Sequence, residues 1–307
     1  MVGFCGFNKI MNLKKINVLI FVIVSMLLIG QIQVFGQTAN FRFVLEERLA
    51  KAEIYRNNKK TTGIRLEEVC DVDNDVVAAR VFSDYGAIFI AGAGVRFPVK
   101  CVFANDSEVL QYQTTANPRS QNIGGTTIEL QEPAMNALLD AIADAKKKNL
   151  RITPRGGSIA ARRSYQETVN LWFSRFNPGL AHWTGKGKIS RREAEMVKGW
   201  STQKQVAQVL EWEKKGYYFN TDFSKSILYS VAAPGASQHI FMLALDVEQF
   251  GNKAVRDILA KHGWFQTVKS DLPHFTYLGV EESSLPALGL KPVNVGGQKF
   301  WIPNLEP

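Results

Sequence analysis

The chain has 307 residues, of which 46% are apolar and 21% charged, with a formal net charge of +9. Those values suit a folded protein of one large or two modest domains, and they exclude a disordered or fibrous chain. No basic stripe interleaved with aromatics runs along the sequence, so nucleic acid is not an expected partner, whereas mild basicity suits an anionic envelope polymer.

Residues 1–36 stand apart, with three lysines (Lys9, Lys14, Lys15), no acid, and the apolar run "NVLIFVIVSMLLIG". This is the layout of a secretory signal cut after Gly36, with Met11 as an alternative start. An uncleaved membrane anchor is the competing reading, because the segment extended to Gly36 approaches the roughly 20 residues that span a bilayer. Either way the chain is expected to be exported to the periplasm or cell envelope. Without the leader, 34 basic residues face 28 acidic ones. Cys70 and Cys101 remain as a pair in an oxidising compartment, either bridged or as two buried thiols.

In chain order, 41–62 reads as a helix ("FVLEERLAKAEIYRNNKK"). Residues 76–104 read as strands, being rich in β-branched and aromatic residues and broken by glycines, and 114–125 as a loop. Residues 37–125 together form an N-terminal accessory region with no catalytic spacing. From 126 the texture changes. "TTIELQ" is a strand, and "EPAMNALLDAIADAKKKNL" a helix with an early Pro133 and lysines in its last turn. "RIT" is a short strand, "RRSYQETVNLWFSRF" a second helix, 177–199 a Gly- and Lys-rich connection, and "STQKQVAQVLEWEKKG" a third helix. "ILYSVAA", "MLALDV" and "HFTYLG" are strands, with the helix "NKAVRDILAKHGW" among them. Helices alternating irregularly with short strands give an α+β fold, with 126–307 as its second domain.

Four histidines carry the functional question: His182, His239, His262 and His274. His262 ends a helix, where capping or a surface place suits it, and His182 falls in the connection. His239 and Asp246 are seven positions apart, which on one strand would put them on opposite faces. They converge only if His239 lies on the turn "PGASQH" and the strand begins after it, a break that Pro234 and Gly235 support. Asp246 then ends an apolar strand, where an ionised carboxylate alone is costly and a cation would satisfy it. His274, after Pro273, opens another strand. Two histidines and one carboxylate leave a fourth position open, which is how a catalytic zinc is held; buried His and Asp that merely share hydrogen bonds are the alternative.

"SQHIFMLALD" (237–246) resembles the Ser-x-His-x-x-Gly-x-Ala-x-Asp motif of VanY-like D-alanyl-D-alanine carboxypeptidases, zinc peptidases grouped with the D-Ala-D-Ala dipeptidases and the hedgehog-like fold. Ser237, His239, Ala244 and Asp246 match, and Met242 replaces the usual Gly. "DLPH" is similar to the second motif, Glu-x-x-His, with Asp271 for Glu and Pro273 for Trp. "RRSYQETVNLW" supplies the Arg-Ser-Tyr run as Arg163, Ser164 and Tyr165, with Thr168 where Gln is common. The resemblance covers roughly 130–280. It implies a small antiparallel sheet flanked by helices, with His239, Asp246 and His274 as ligands of Zn2+. It further implies a metal-activated water, Asp271 as the general base and acid, and Arg163 as the group on the oxyanion or the substrate carboxylate. Arg155 is the rival for that last task, and Ser237 is a candidate substrate contact. The implied activity is that of an exported peptidase on peptidoglycan stem peptides ending in D-Ala-D-Ala. Exopeptidase and endopeptidase actions stay open, and a non-catalytic cell-wall-binding protein on the same fold is the alternative from another class.

Overall fold

The computed structural model describes Met1 and residues 38–306 apart from 52, 57, 58 and 93, so the leader and its expected cut after Gly36 lie outside the described residues. Helix α1 (Phe41–Lys51) buries Phe41, Leu45 and Leu49 along one face. The helix expected through 62 stops there. An antiparallel hairpin of β1 (Glu53–Arg56) and β2 (Lys59–Thr62) follows, in keeping with the β-branched and aromatic residues Ile54, Tyr55, Thr61 and Thr62. Helix α2 (Leu66–Val69) leads to Cys70.

The strands expected over 76–104 are instead helix α3 (Val76–Tyr85) and a 3-10 turn over Gly86–Ile90. Two local facts override the strand-like composition. The Asp75 carboxylate caps the amides of Val77 and Ala78 at 2.8 and 3.2 Å. Val77, Ala78, Val81, Phe82 and Tyr85 also recur at helical spacing and are all buried. Cys70 and Cys101 are disulfide-bonded, with Cα atoms 5.3 Å apart. Helix α4 (Asp106–Thr115) follows, capped by Asn105.

Residues 114–125 are not all loop. Strand β3 (Pro118–Ile123) pairs with β4 (Thr126–Gln131), and the expected division at 125 falls in the turn of this hairpin. Thr38–Pro307 cluster as one unit. Elements on both sides of 125 share its core: Phe103 and Tyr112 pack on Phe241 with ring centroids 5.7 and 5.4 Å apart.

Helix α5 (Glu132–Lys147) forms as expected, but "RIT" makes no strand, and only an isolated bridge joins Pro154 to Val247. Helix α6 (Tyr165–Gly185) opens on a reciprocal cap, in which the Ser164 hydroxyl accepts from the Glu167 amide and the Glu167 carboxylate accepts from the Ser164 amide. It runs on through Pro178, and α7 (Arg191–Lys198) starts at a Ser190 cap, so most of 177–199 is helix rather than connection and His182 lies on α6. Ser190 and Glu193 were the local start signal that the Gly- and Lys-rich composition obscured. Helix α8 (Thr202–Glu213) comes next. "ILYSVAA" is no strand either, since Ile227–Tyr229 form a 3-10 turn capped by Ser226.

Strand β5 (Ala244–Asp246), helix α9 (Lys253–Lys261), β6 (Trp264–Phe265) and β7 (His274–Tyr277) make a three-stranded antiparallel sheet in the order β5-β7-β6 with one helix between strands. His262 caps α9 and meets the Asp144 carboxylate at 3.1 Å. A last hairpin pairs β8 (Leu290–Val295) with β9 (Gln298–Pro303). The fold is thus α+β, with small antiparallel sheets set among helices. Among the described residues no helix is long and apolar enough to cross a membrane.

Candidate metal centre

Two backbone features bring His239 to the sheet. Gly235 has φ +79°, and a Cβ there would stand 2.0 Å from the Phe103 carbonyl oxygen, so only glycine lets the chain pass. The Gly235 carbonyl in turn accepts from the Phe103 amide at 2.9 Å. The chain then enters a 3-10 turn, Gln238–Phe241, that carries His239. Met242 ends the turn in the left-handed conformation (φ 53°, ψ 34°), which costs a non-glycine residue about 1–2 kcal/mol. This is the position where the resembled motif has Gly. Met242 is fully buried, and its carbonyl accepts from the Gln131 amide at 3.0 Å.

From there β5 runs to Asp246, which pairs in register with His274 at the start of β7. Turn and register together place three potential ligand atoms face to face. His239 Nε2 and His274 Nδ1 are 3.1 Å apart, and each lies 3.4 Å from Asp246 Oδ1. Among the described residues this is the one group of His, Cys, Asp or Glu side chains close enough to hold a metal ion.

The hydrogen-bond partners assign the tautomers. His239 Nδ1 faces the Ala161 carbonyl at 3.3 Å, which can only accept, so Nδ1 carries the hydrogen. His274 Nε2 faces Gln238 Oε1 at 2.8 Å, while the Gln238 amide nitrogen donates to the Tyr85 carbonyl at 2.7 Å, so Nε2 carries the hydrogen. In neutral rings the inward nitrogens are therefore bare lone pairs, and both face the buried Asp246 Oδ1, which has no hydrogen-bond partner. Three converging acceptors repel unless a positive charge sits among them.

A proton is poorly suited to that place, because burial first, and then the Arg163 cation, push His239 down to about 4. Burial also works against the Asp246 carboxylate, yet it stays below the usual carboxylate range because His239 and His274 draw it down. A divalent cation among the three acceptors would relieve their repulsion. Ligand atoms about 2.0–2.1 Å from a tetrahedral zinc stand about 3.3–3.4 Å from one another, close to the separations found here. The donor set of two imidazoles and one carboxylate fits zinc.

The outer contacts hold the ligands still. Gln238 Oε1 accepts from His274 and from the Thr276 hydroxyl, which also meets Thr267 Oγ1 at 2.7 Å. Gln113, buried on α4, donates to the carbonyls of Arg163 and Ile240 at 2.8 and 3.1 Å. Gln238 was visible inside the quoted motif, next to His239. Gln113 left no sequence signal, because it lies in the segment read as accessory.

A cavity of about 140 Å³ opens on the cluster, lined by His239, His274, Arg163, Ser237 and Asp271 among others. Burial raises the Asp271 carboxyl above its usual range, the nearby His274 opposing. The Arg163 guanidinium reaches the cavity but is bound to Asp246 Oδ2 at 2.8 Å and to the Ile159 carbonyl at 3.1 Å. Arg155 is placed differently. Its amide donates to the Asp246 carbonyl at 2.8 Å, whereas its guanidinium faces Glu248 at 3.7 Å and lies over the Phe250 ring, away from the cavity wall. A larger cavity of about 660 Å³, bounded by residues such as Arg80, Glu213 and Tyr229, holds none of the motif residues.

No protein-family model matches the chain, and no curated protein matches it. Among solved structures, the LdcB LD-carboxypeptidase, whose structure is described as revealing the molecular basis of peptidoglycan recognition, is similar with a TM-score of 0.28 and 19% identity. The match takes in 52% of this chain and 64% of that one.

Proposed function

We propose that this protein is an exported zinc-dependent peptidase acting on peptidoglycan stem peptides, a carboxypeptidase of the D-alanyl-D-alanine type. The observation that carries the reading is the convergence of two neutral imidazole lone pairs on a buried, unpartnered carboxylate oxygen beside a cavity. The motif order supports the substrate class.

His239, Asp246 and His274 would hold the ion, and zinc when bound supplies Lewis acidity at the scissile carbonyl together with an activated water. The chain's own groups do the rest. Asp271, whose proton affinity is raised by burial, accepts a proton in the cavity and returns it to the leaving amine. Arg163, held by Asp246, keeps a fixed cation where negative charge develops on the carbonyl oxygen. Ser237, at the head of the His239 turn, faces the same cavity and orients the peptide.

The purified mature protein should carry about one zinc per chain by elemental analysis. His239→Ala and His274→Ala should each lose it, and the zinc-loaded protein should release D-Ala from a D-Ala-D-Ala peptide. Full zinc occupancy in both variants would refute the ligand set. Zinc binding without turnover would make the protein a cell-wall binder instead.

A further inference from the structure

We propose that Arg175 is the anion-recognising group of the cavity and that it takes a carboxylate of the bound peptide. This rests on the peptidase reading for its substrate class and goes beyond it, because Arg175 lies outside every motif in the chain.

Thr168, Leu171 and Arg175 lie three and four residues apart on α6, so they share one stripe of that helix, and all three line the cavity that opens on His239 and His274. Arg175 Nε is buried and makes no hydrogen bond. Its Nη1 reaches only its chain neighbour, the Ser174 hydroxyl at 3.1 Å and carbonyl at 3.3 Å. No carboxylate of the described residues lies within ion-pair distance of it. A guanidinium can hydrogen-bond a carboxylate through two parallel N–H groups, and a desolvated N–H with no acceptor is costly to keep. An incoming carboxylate would meet both needs.

The other arginine of the cavity is already engaged: Arg163 is fixed on Asp246 and the Ile159 carbonyl. With Arg163 committed to Asp246 beside the reacting carbonyl, Arg175 is the cavity cation left for a carboxylate of the peptide. Thr168 does not compete for the ligand, since its hydroxyl donates to the Tyr165 carbonyl at 2.6 Å and accepts from the Gly235 amide at 3.1 Å. The carboxylate could be the peptide's C-terminus or an acidic group within the stem, and the test separates them.

Zinc-loaded wild type, Arg175→Gln and Arg175→Lys are titrated calorimetrically with three peptides: a stem peptide ending in a free D-Ala-D-Ala carboxylate, its C-terminal amide, and an analogue whose internal acid is amidated. A charge-assisted hydrogen bond lost is worth roughly 10- to 150-fold in affinity. Wild type should lose that factor on one amidated peptide, and which one names the source. Arg175→Gln should bind the acid and that amide equally. Arg175→Lys should recover part of the preference, and zinc content and melting temperature should match wild type in both variants. An unchanged acid-over-amide preference in Arg175→Gln overturns the assignment, as does wild-type indifference to both amidations. Wild type that binds the acid through Arg175 but releases no D-Ala would refute the peptidase reading and leave this assignment standing.

Discussion

Replacing Gln238 with Leu should weaken zinc binding without touching a ligand. Gln238 is fully buried and meets the His274 Nε2 hydrogen, the Thr276 hydroxyl, the Tyr85 carbonyl and, at 3.5 Å, the Thr267 hydroxyl. Leu fills the volume but offers neither donor nor acceptor. Thr276 retains Thr267 at 2.7 Å, and the Tyr85 carbonyl, at the head of the 3-10 turn Gly86–Ile90, keeps that turn's first amide, so one buried group, His274 Nε2–H, is left unpaired. The fold should lose about 1–3 kcal/mol. The imidazole also loses the contact that fixes its tautomer and turns Nδ1 inward, a change that typically weakens metal affinity about 10- to 100-fold. Gln238→Glu is the companion. It keeps an acceptor on His274 but gives up the donor to Tyr85, so it should cost stability while holding zinc affinity near or above that of wild type. Competition of each protein with a fluorescent chelator, alongside circular dichroism to confirm folding, reads both effects. A folded Gln238→Leu variant that binds zinc within twofold of wild type would show that the outer contact does not orient His274.

The remaining expectations concern catalysis, the bridge and pH. Asp271→Asn at saturating zinc should keep peptide binding but lower kcat by roughly 10²–10⁴; a near-normal rate would remove Asp271, and the alternatives Glu248 and Glu281 do not line the cavity. Reducing Cys70–Cys101, which closes a separation of 31 residues, should cost roughly 3–4 kcal/mol in denaturant unfolding, and an unchanged midpoint would count against the bridge. Burial also raises Glu213, whose carboxylate accepts from the Ile227 amide at 2.6 Å. A carboxyl with a raised folded pKa gives stability that is full below its unfolded value, about 4.3, and is lost as pH rises through the folded one. Wild type should therefore lose melting temperature relative to Glu213→Gln between about pH 4 and neutrality, and parallel curves would refute the assignment.

The sequence by itself determined what depends on near neighbours. The α5, α6 and α9 helices were legible because their caps, lysine ends and apolar stripes are local. The odd spacing of His239 and Asp246 required a turn before the strand, and the 3-10 turn with left-handed Met242 is that turn. Strand-like composition misled over 76–90, where the Asp75 cap and burial against the rest of the core select a helix. Tertiary structure alone decided that Arg163 is tied to Asp246 while Arg155 turns to Glu248, since both guanidiniums sit on long side chains whose partners, at the end of β5 and in the turn after it, are more than 80 residues away along the chain. It alone also brought Gln113 and the Tyr85 carbonyl, from the segment that read as accessory, to the ligands' outer contacts. Spacing along a chain carries the period of an element, but not which element packs against it, and the orientation of a buried imidazole is fixed by whatever packs there.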